Sequence, residues 1–297
     1  MSSKERYPEF GVQPDAISRI SDEKKLDIYS KICTAREFDL HVIEAVKQKK
    51  VIAPVYLSLG QEAVAAAIAD AIRYDYIFAG HRAHDLYLSL GANKLELRDE
   101  LLGLPTGMSG GRAGSSCLKY LKEGIKLMPH HGLIGEQIPQ AVGAAISTGE
   151  PVITIFGDGA AEEDYVLESF GFAATRGLPI MFLCMDNDLS ILTETSVRRC
   201  WKLTDVTRSF GIDEVHDVAD DPWTIYDIVS HWDRKKPMFI NCRVCRERWH
   251  SGIGQDGPRE WERNMIVREQ LIRLGLEDSV KTIENNSKVE MDKLWNI

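Results

Sequence analysis

The sequence predicts an α/β protein with a mostly parallel sheet and helices on both faces. From about residue 130 onward, short apolar runs alternate with helical patterns, and the runs lie at 152–156, 180–185, 214–218 and 238–244. The segments at 162–176 and 222–232 have helical length and pattern. Strands that alternate with such helices are typical of parallel sheets covered on both sides. Ligands of these sheets bind outside the carboxyl ends of the strands.

Length and composition predict a soluble globular protein. The chain has 297 residues, of which 44% are hydrophobic and 27% charged, and this is ordinary globular usage. The formal net charge of −9 disfavours a protein that binds nucleic acid through phosphate contacts. No signal-peptide layout or long apolar run is present, so we expect no membrane association and a cytoplasmic location. We divide the chain into an N-terminal extension, 1–20, and a single domain, 21–297.

The elements of the remaining chain follow from local patterns. Ser21 is a candidate N-cap for an amphipathic helix over residues 22–49. Trp261 and Trp295 are expected to anchor two C-terminal helices. The other predicted segments are, in chain order, a helix at 60–73, a strand at 75–79 that leads into 80–84, a loop at 103–116, and the C-terminal helices at 259–274 and 277–294.

The six cysteines are scattered through a chain too long to depend on disulfides, and we expect reduced thiols. Cys242 and Cys245 form a C-x-x-C pair inside an apolar segment, 237–246, that is typical of a strand. Residues three apart on a strand face opposite sides. We therefore predict a structural role for this pair.

The clearest chemical signal is Gly157-Asp158-Gly159 at the end of the run 152–156. Asn187 follows Asp158 by 29 positions, at the end of the next apolar run. One strand-helix-strand crossover takes about 30 residues, so both side chains are expected at the ends of adjacent parallel strands. Two hard oxygen ligands, a backbone carbonyl and diphosphate oxygens suit magnesium. The alternative is a simple turn followed by a loop cap.

This motif pair resembles the signature of thiamine-diphosphate enzymes. Over roughly residues 20–280 the chain is similar to the E1 component alpha subunits of the 2-oxo acid dehydrogenase family. The resemblance implies that Asp158, Asn187 and the Leu189 carbonyl bind magnesium, and that Gly157 and the residues after Asp158 bind the cofactor. Those following residues are Gly159 and Ala160.

Further motifs of the family are found in the same order. The segment 80–84 resembles [YH]-R-x-H and implies that His81 and Arg82 reach the diphosphate, with His84 as a catalytic residue. The segment 107–119 resembles a small-residue loop near the cofactor. Physically, arginines and histidines around a diphosphate would complement its charge.

Two more segments complete the resemblance. The segment 131–139 resembles G-I-V-G-x-Q-x-P and implies that the backbone of Gly132 and Ile134 contacts the aminopyrimidine. Residues 246–251 resemble R-x-x-G-H-S, which implies that Arg246 and His250 line the diphosphate and the mouth of the active site. His250 is also predicted to be catalytic.

The sequence also departs from the family pattern. Leu189 stands where the family has tyrosine, which leaves a contact through the backbone carbonyl intact. Cys117 replaces a histidine near the substrate. The loop after His250 is shortened. In the family this loop contributes to binding of the lipoyl domain, so the identity of the acyl acceptor stays open.

The resemblance implies an alpha subunit of a two-subunit enzyme that decarboxylates a 2-oxo acid and transfers the acyl group to a lipoyl carrier. The implied partners are a beta subunit in an α2β2 assembly, which supplies the activating glutamate, and a lipoyl acyltransferase. Glu136 is the only internal candidate for that glutamate. One alternative is a split transferase, transketolase-like or acyloin-forming, with a small carbonyl or sugar acceptor. Another is a non-enzymatic subunit that keeps the fold.

Overall fold

A seven-stranded sheet runs through the protein. The computed structural model describes residues 6–71, 74, 76–122, 124–130, 132–256 and 260–297. The strands in these ranges are β1 (Tyr76–Ala79), β2 (Tyr120–Lys122), β3 (Ile125–Met128), β4 (Val152–Gly157), β5 (Ile180–Asp186), β6 (Leu189–Ser190), β7 (Thr193–Glu194), β8 (Glu214–Ala219) and β9 (Met238–Arg243). The sheet order is β2-β3-β1-β4-β5-β9-β8. Only the β2–β3 pair in this sheet is antiparallel, while β6 and β7 form a separate hairpin.

Helices cover both faces of this sheet. In the described part of the chain they are α1 (Asp22–Lys47), α2 (Glu62–Ala71), α3 (His84–Ser89), α4 (Lys94–Leu101), α5 (Gln137–Thr148), α6 (Asp164–Arg176), α7 (Thr195–Arg198), α8 (Leu203–Ser209), α9 (Pro222–His231), α10 (Arg263–Arg273) and α11 (Glu277–Leu294). Short 3-10 turns lie at Ala16–Arg19 and Ala160–Glu162. None of the helices in these described ranges is long and apolar enough to cross a membrane.

The core divides into apolar clusters on the two faces of the sheet. Along β5, Met181 and Leu183 pack into the cluster that includes α1, α2 and α9, whereas Phe182 and Cys184 pack into the cluster with α5 and α6. This alternation follows from the two-residue period of a strand. The nearly continuous apolar character of β5 reflects burial on both faces, which confirms the predicted fold class.

The N-terminal segment packs against the domain. Ala16 and Ile20 are buried in a third apolar cluster with residues of α1, α10 and α11. The backbone amide of Ala219, at the end of β8, donates to the Phe10 carbonyl at 2.7 Å. The Arg243 guanidinium lies 3.7 Å from the centre of the Phe10 ring. Residues 6–20 therefore pack against the domain, in part at the sheet edge that β8 forms.

Most predicted elements occur with small shifts at their ends. The Ser21 side chain accepts a hydrogen bond from the Lys24 amide, which confirms the N-cap, and both Trp261 and Trp295 are buried. Several short elements were not predicted: β2, β3, β6, β7, α3, α4, α7 and α8. Parts of the predicted segments at 60–73, 75–79 and 259–274 lie outside the described residues.

The cysteines agree with the expectation of reduced thiols. All six are free, and Cys242 and Cys245 are both buried. β9 ends at Arg243, so Cys245 lies beyond the strand. Burial raises the pKa of both thiols, that of Cys245 to about 12. Such thiols are poor nucleophiles.

Candidate functional site

A cavity lies at the carboxyl edge of the sheet. It contains about 930 Å³ of space, part of which is open to solvent. Segments that follow β1, β3, β4, β5 and β9 line it. The predicted site residues in its lining are His81, Arg82, Ile134, Gly157, Asp158, Gly159, Ala160, Asn187, Leu189, Arg246 and His250. The fold thus gathers residues from distant parts of the chain where a parallel sheet is expected to bind ligands.

The Gly-Asp-Gly turn lies where β4 ends. β4 pairs in parallel with β5 up to Gly157, so Asp158 and Asn187 follow the ends of adjacent strands, as their spacing predicts. Asp158 is only 1% exposed. A Cβ atom on Gly159 would lie 2.6 Å from Ser190 Oγ. The glycine therefore lets the turn approach the segment that follows β5.

Side chains of the segment around α7 hold the Asp158 carboxylate. Arg198 donates from Nη2 to Asp158 Oδ2, and Thr195 Oγ1 donates to the same oxygen at 3.4 Å. Arg199 donates to the Asp158 backbone carbonyl at 3.0 Å. Arg198 and Arg199 also donate to Glu162, at 2.6 and 2.9 Å. The Asp158 carboxylate thus forms an ion pair with the Arg198 guanidinium.

A second buried carboxylate lies near Asp158. Burial and the charge of Asp186 raise the pKa of Asp158 to about 6, although Arg198 opposes the shift. Asp186 accepts hydrogen bonds from the Asp188 amide at 3.0 Å and from Asn241 Nδ2 at 3.2 Å. Two buried carboxylates repel each other, and a bound cation would relieve this repulsion.

Asn187 begins a tight turn after β5. Its Oδ1 accepts a hydrogen bond from the Leu189 amide at 3.2 Å, and Asp188 between them adopts a left-handed φ of +65°. Leu189 then pairs with Glu194 in the β6–β7 hairpin. The turn brings both Asn187 and Leu189 to the cavity that Asp158 lines.

Two guanidinium groups also line the cavity. Arg82 donates to the His250 carbonyl at 3.0 Å, and burial together with Arg246 lowers the pKa of Arg82 to about 10. Arg246 donates to the Asp256 carboxylate at 2.6 Å and to the Ile191 carbonyl at 2.9 Å. Because Arg82 donates to the neutral carbonyl groups of Leu57 and His250, its charge is available to an anion.

Three histidines and a tyrosine form an aromatic cluster at the cavity. The His81 ring lies 4.8 Å from Tyr56, 5.0 Å from His250 and 6.2 Å from His130 between ring centres. Burial and Arg82 lower the pKa of His81 to about 2, and the same causes lower the pKa of His250. Both imidazoles are therefore neutral at physiological pH and act as hydrogen-bonding groups.

Sequence reasoning missed five polar residues that line the cavity: Gln61, Asp85, His130, Gln137 and Ser190. Gln137 occupies the glutamine position of the segment 131–139 but was given no role there, and the others match no motif position. His130 follows β3, a short strand without a clear apolar run, and Gln61 directly precedes α2. The only feature of the sequence that could have pointed to Gln61 is its position as a polar residue just before an alanine-rich helix.

Two predicted site residues do not line the cavity. His84 is fully buried, with Nδ1 2.6 Å from Asp39 Oδ1 and Nε2 2.8 Å from Ser115 Oγ. Both ring nitrogens are engaged inside the protein, so the geometry supports a structural role for His84 instead of the predicted catalytic one. Gly132 is exposed, and its amide donates to His130 Nδ1 at 2.7 Å.

The loop 103–116 folds around a buried carboxylate instead of lining the cavity. Glu100 of α4 is 1% exposed. Its two carboxylate oxygens accept hydrogen bonds at 2.6–3.3 Å from the backbone amides of Ser109, Gly111, Ala113 and Gly114. The small residues of the loop allow the amides to converge on one side chain.

The geometry defines a class of protein. It is an α/β protein whose cavity, at the carboxyl ends of parallel strands, combines acidic and amide oxygens with arginine and histidine donors. Such a site suits an anionic ligand bound together with a cation.

Comparison with known proteins places the chain within this class. The sequence profile of the family described as dehydrogenase E1 component matches residues 30–268. The mitochondrial pyruvate dehydrogenase E1 component subunit alpha of Schizosaccharomyces pombe is 31% identical over 198 residues, which are 65% of this chain and 47% of the relative. The human somatic form is 29% identical over 198 residues, 65% of this chain and 49% of the relative.

A bacterial relative is matched over more of its length. The pyruvate dehydrogenase E1 component subunit alpha of Rickettsia bellii is 30% identical over 253 residues, 80% of this chain and 75% of the relative. The chain spans about half the length of the yeast and human relatives. The chain belongs to the dehydrogenase E1 component family.

Proposed function

We propose that this chain is the alpha subunit of a thiamine-diphosphate-dependent enzyme that decarboxylates a 2-oxo acid and transfers the acyl group to a lipoyl carrier. The supporting observation is that Asp158 and Asn187 follow adjacent strand ends in a cavity that Arg82 and Arg246 also line. A diphosphate bound to a divalent cation needs both hard oxygen ligands and guanidinium donors.

The residues present fit a magnesium-diphosphate group. Asp158, Asn187 and the Leu189 carbonyl would hold the metal, and the buried carboxylates at this edge favour a cation. Within the described ranges, no group of three or more histidine, cysteine or acidic side chains forms a metal site. Oxygens of the diphosphate would therefore have to complete the coordination shell.

The chain's own residues would bind and orient the cofactor. When bound, thiamine diphosphate supplies the thiazolium that accepts the electron pair released on decarboxylation. The turn at 157–160 would present backbone amides to the diphosphate, and Ile134 lies at the cavity for a backbone contact. Neutral His250 can exchange a proton with a group at the cavity mouth.

A partner chain is part of the proposal. The cofactor needs an activating carboxylate, and Glu136 does not belong to the cavity lining. We therefore assign this carboxylate to a beta subunit in an α2β2 assembly. The exposed apolar side chains of Leu133, Ile191 and Leu192 lie in segments beside the cavity and suit such an interface. A lipoyl acyltransferase would be the next partner.

The names of the relatives favour this reaction over a split transferase. All three are called pyruvate dehydrogenase subunits. We extend to this chain only the reaction class, with a 2-oxo acid as substrate. The cytoplasmic location stays a prediction.

Calorimetry of thiamine diphosphate binding tests the proposal. The chain is purified together with a beta-type E1 subunit from the same genome and titrated with and without magnesium. Asp158→Asn should weaken the magnesium-dependent binding of thiamine diphosphate. Replacing a residue that only supports a metal ligand typically costs roughly 10–100-fold in affinity, and loss of a direct ligand should cost more. Asp205→Asn, at an exposed carboxylate of α8, is the matched control. No binding to the assembled wild-type complex would overturn the proposal.

A further inference from the structure

Gln61 is a buried amide with an unused nitrogen. It is 3% exposed and lines the cavity. Among the residues that the structure describes, its Nε2 has no hydrogen-bond partner. Buried polar groups in folded proteins almost always have a partner. This nitrogen is therefore suited to meet an acceptor on a bound ligand.

The backbone on either side of Gln61 is tightly held. Gly60 adopts a φ of +93°, and a Cβ atom there would lie 2.1 Å from the Cys245 carbonyl oxygen. The Gly60 amide donates to Glu62 Oε2 at 2.9 Å, and the Gln61 amide donates to the Ser58 carbonyl at 2.9 Å. These contacts fix the position from which the Gln61 side chain extends.

The neighbouring wall of the cavity is apolar. Helices α2 and α3 contribute the lining residues Val64, Ala65, Ile68 and Leu86. These side chains offer no acceptor to the amide. Because an apolar wall lowers the local dielectric constant, a hydrogen bond made there is stronger than one made in water.

The polar groups that share the cavity favour an anion. Arg82 and His81 are donors in the same lining. Asp85 is also there, but burial and the charge of Asp39 raise the pKa of its carboxyl to about 7. Asp85 therefore carries a proton for part of the time at neutral pH, which reduces its repulsion of an anion.

We propose that Gln61 is a ligand-binding residue that donates a hydrogen bond from Nε2 to an anionic oxygen of the bound ligand. The inference rests on the proposed function, because the expected oxygen belongs to the diphosphate. The carboxylate of a 2-oxo acid is the other group that would offer an anionic oxygen to Gln61 Nε2. Gln61 belongs to none of the motifs found in the sequence.

Two variants separate ligand binding from structural support. Gln61→Leu removes the donor, and Gln61→Glu replaces it with an acceptor of the same shape. Each is titrated, in complex with the beta-type subunit, with magnesium diphosphate, thiamine diphosphate and pyruvate. Gln61→Leu should weaken binding of the matching anion by roughly 10–100-fold, the loss expected for a hydrogen bond to a charged group. Gln61→Glu should weaken it further, because its charge repels the anion.

Stability of the ligand-free protein is the second measurement. Removal of an unpaired buried donor should leave the midpoint of thermal unfolding of Gln61→Leu unchanged or raise it. A merely structural glutamine would lower it. Gln140→Leu, at an exposed glutamine of α5, is the matched control.

The outcomes distinguish this inference from the proposed function. Unchanged affinity of both variants for all three probes would overturn the role of Gln61, and so would a lowered unfolding midpoint with wild-type affinity. Weaker binding of diphosphate or of pyruvate supports the role and identifies the source of the oxygen. Failure of the wild-type complex to bind thiamine diphosphate would refute the proposed function, while the magnesium diphosphate titration would still test Gln61.

Discussion

The Arg198 guanidinium donates to the Asp158 carboxylate, so the predicted metal ligand already has a cation of the protein as its partner. Arg198 is also bonded to Glu162, which can retain it when the first contact breaks. A divalent cation at Asp158 must compete with this guanidinium. The ion pair therefore lowers the apparent affinity of the site for metal.

Arg198→Gln is expected to strengthen divalent-metal binding by about tenfold, or ~1.4 kcal/mol. The reason is that the variant removes the competing cation while Asp158 and Asn187 stay in place. Titration with Mn²⁺, followed by electron paramagnetic resonance, measures the affinity without any turnover. Arg208→Gln, at an exposed arginine of α8, is the control. Equal or weaker metal binding by Arg198→Gln would contradict the competition.

The neutral imidazole of His81 should make the protein sensitive to acid. Its pKa falls from the ordinary 6.5 to about 2, first through burial and then through the charges of Arg82, His250, His130 and Arg246. Between these pH values the unfolded chain binds more protons than the folded one. The free energy of unfolding therefore rises with pH through this window, by up to about 1.4 kcal/mol per unit. The contribution of neutral His81 to stability is fully present above pH 6.5 and is lost as the pH falls toward 2.

His81→Tyr removes this proton uptake and should show a shallower loss of stability between about pH 7 and pH 5. Urea unfolding of the ligand-free protein at several pH values measures the slope. His231→Gln, at an exposed histidine, should keep the wild-type slope. Parallel curves for wild type and His81→Tyr would show that His81 does not contribute to the acid sensitivity.

His84 and His250 are expected to fail in different ways when replaced. His84→Ala leaves the buried Asp39 carboxylate without its imidazole partner, which should cost about 3 kcal/mol of stability. His250→Gln removes an imidazole that lines the cavity and should reduce turnover by roughly 100-fold with an unchanged unfolding midpoint. Calorimetric melting and steady-state turnover of the assembled complex separate the two. A stable but inactive His84→Ala variant would restore a catalytic role for His84.

Glu100 should hold the small-residue loop in place. Glu100→Gln replaces one carboxylate oxygen with a donor that faces backbone amides, and the loss should be about 3 kcal/mol. Hydrogen exchange at residues 109–114 measures loop opening directly. Glu96→Gln on the same helix, where the carboxylate accepts from Asn93 at the surface, should exchange like wild type. Slow exchange in Glu100→Gln would mean that the loop is held by other contacts.

The buried strands were predictable because their residues carry the signal themselves. The run 180–185 is apolar on both faces of β5, and the full strand is Ile180–Asp186. β2 and β3 could not be found in this way. They are short and partly exposed, and Tyr120–Lys122 is a strand only because it pairs with Ile125–Met128, which in turn pairs with β1.

The sequence by itself determined the alternating α/β pattern and the pair of metal-ligand candidates, Asp158 and Asn187, because one crossover fixes their spacing. Only the tertiary structure decided that Gln61 lines the cavity, that Arg198 reaches Asp158, and that His84 does not line the cavity. Local patterns describe neighbours within a turn, helix or strand. Which distant side chains meet depends on how separate segments pack, and that packing buried His84 while it turned Gln61 toward the cavity.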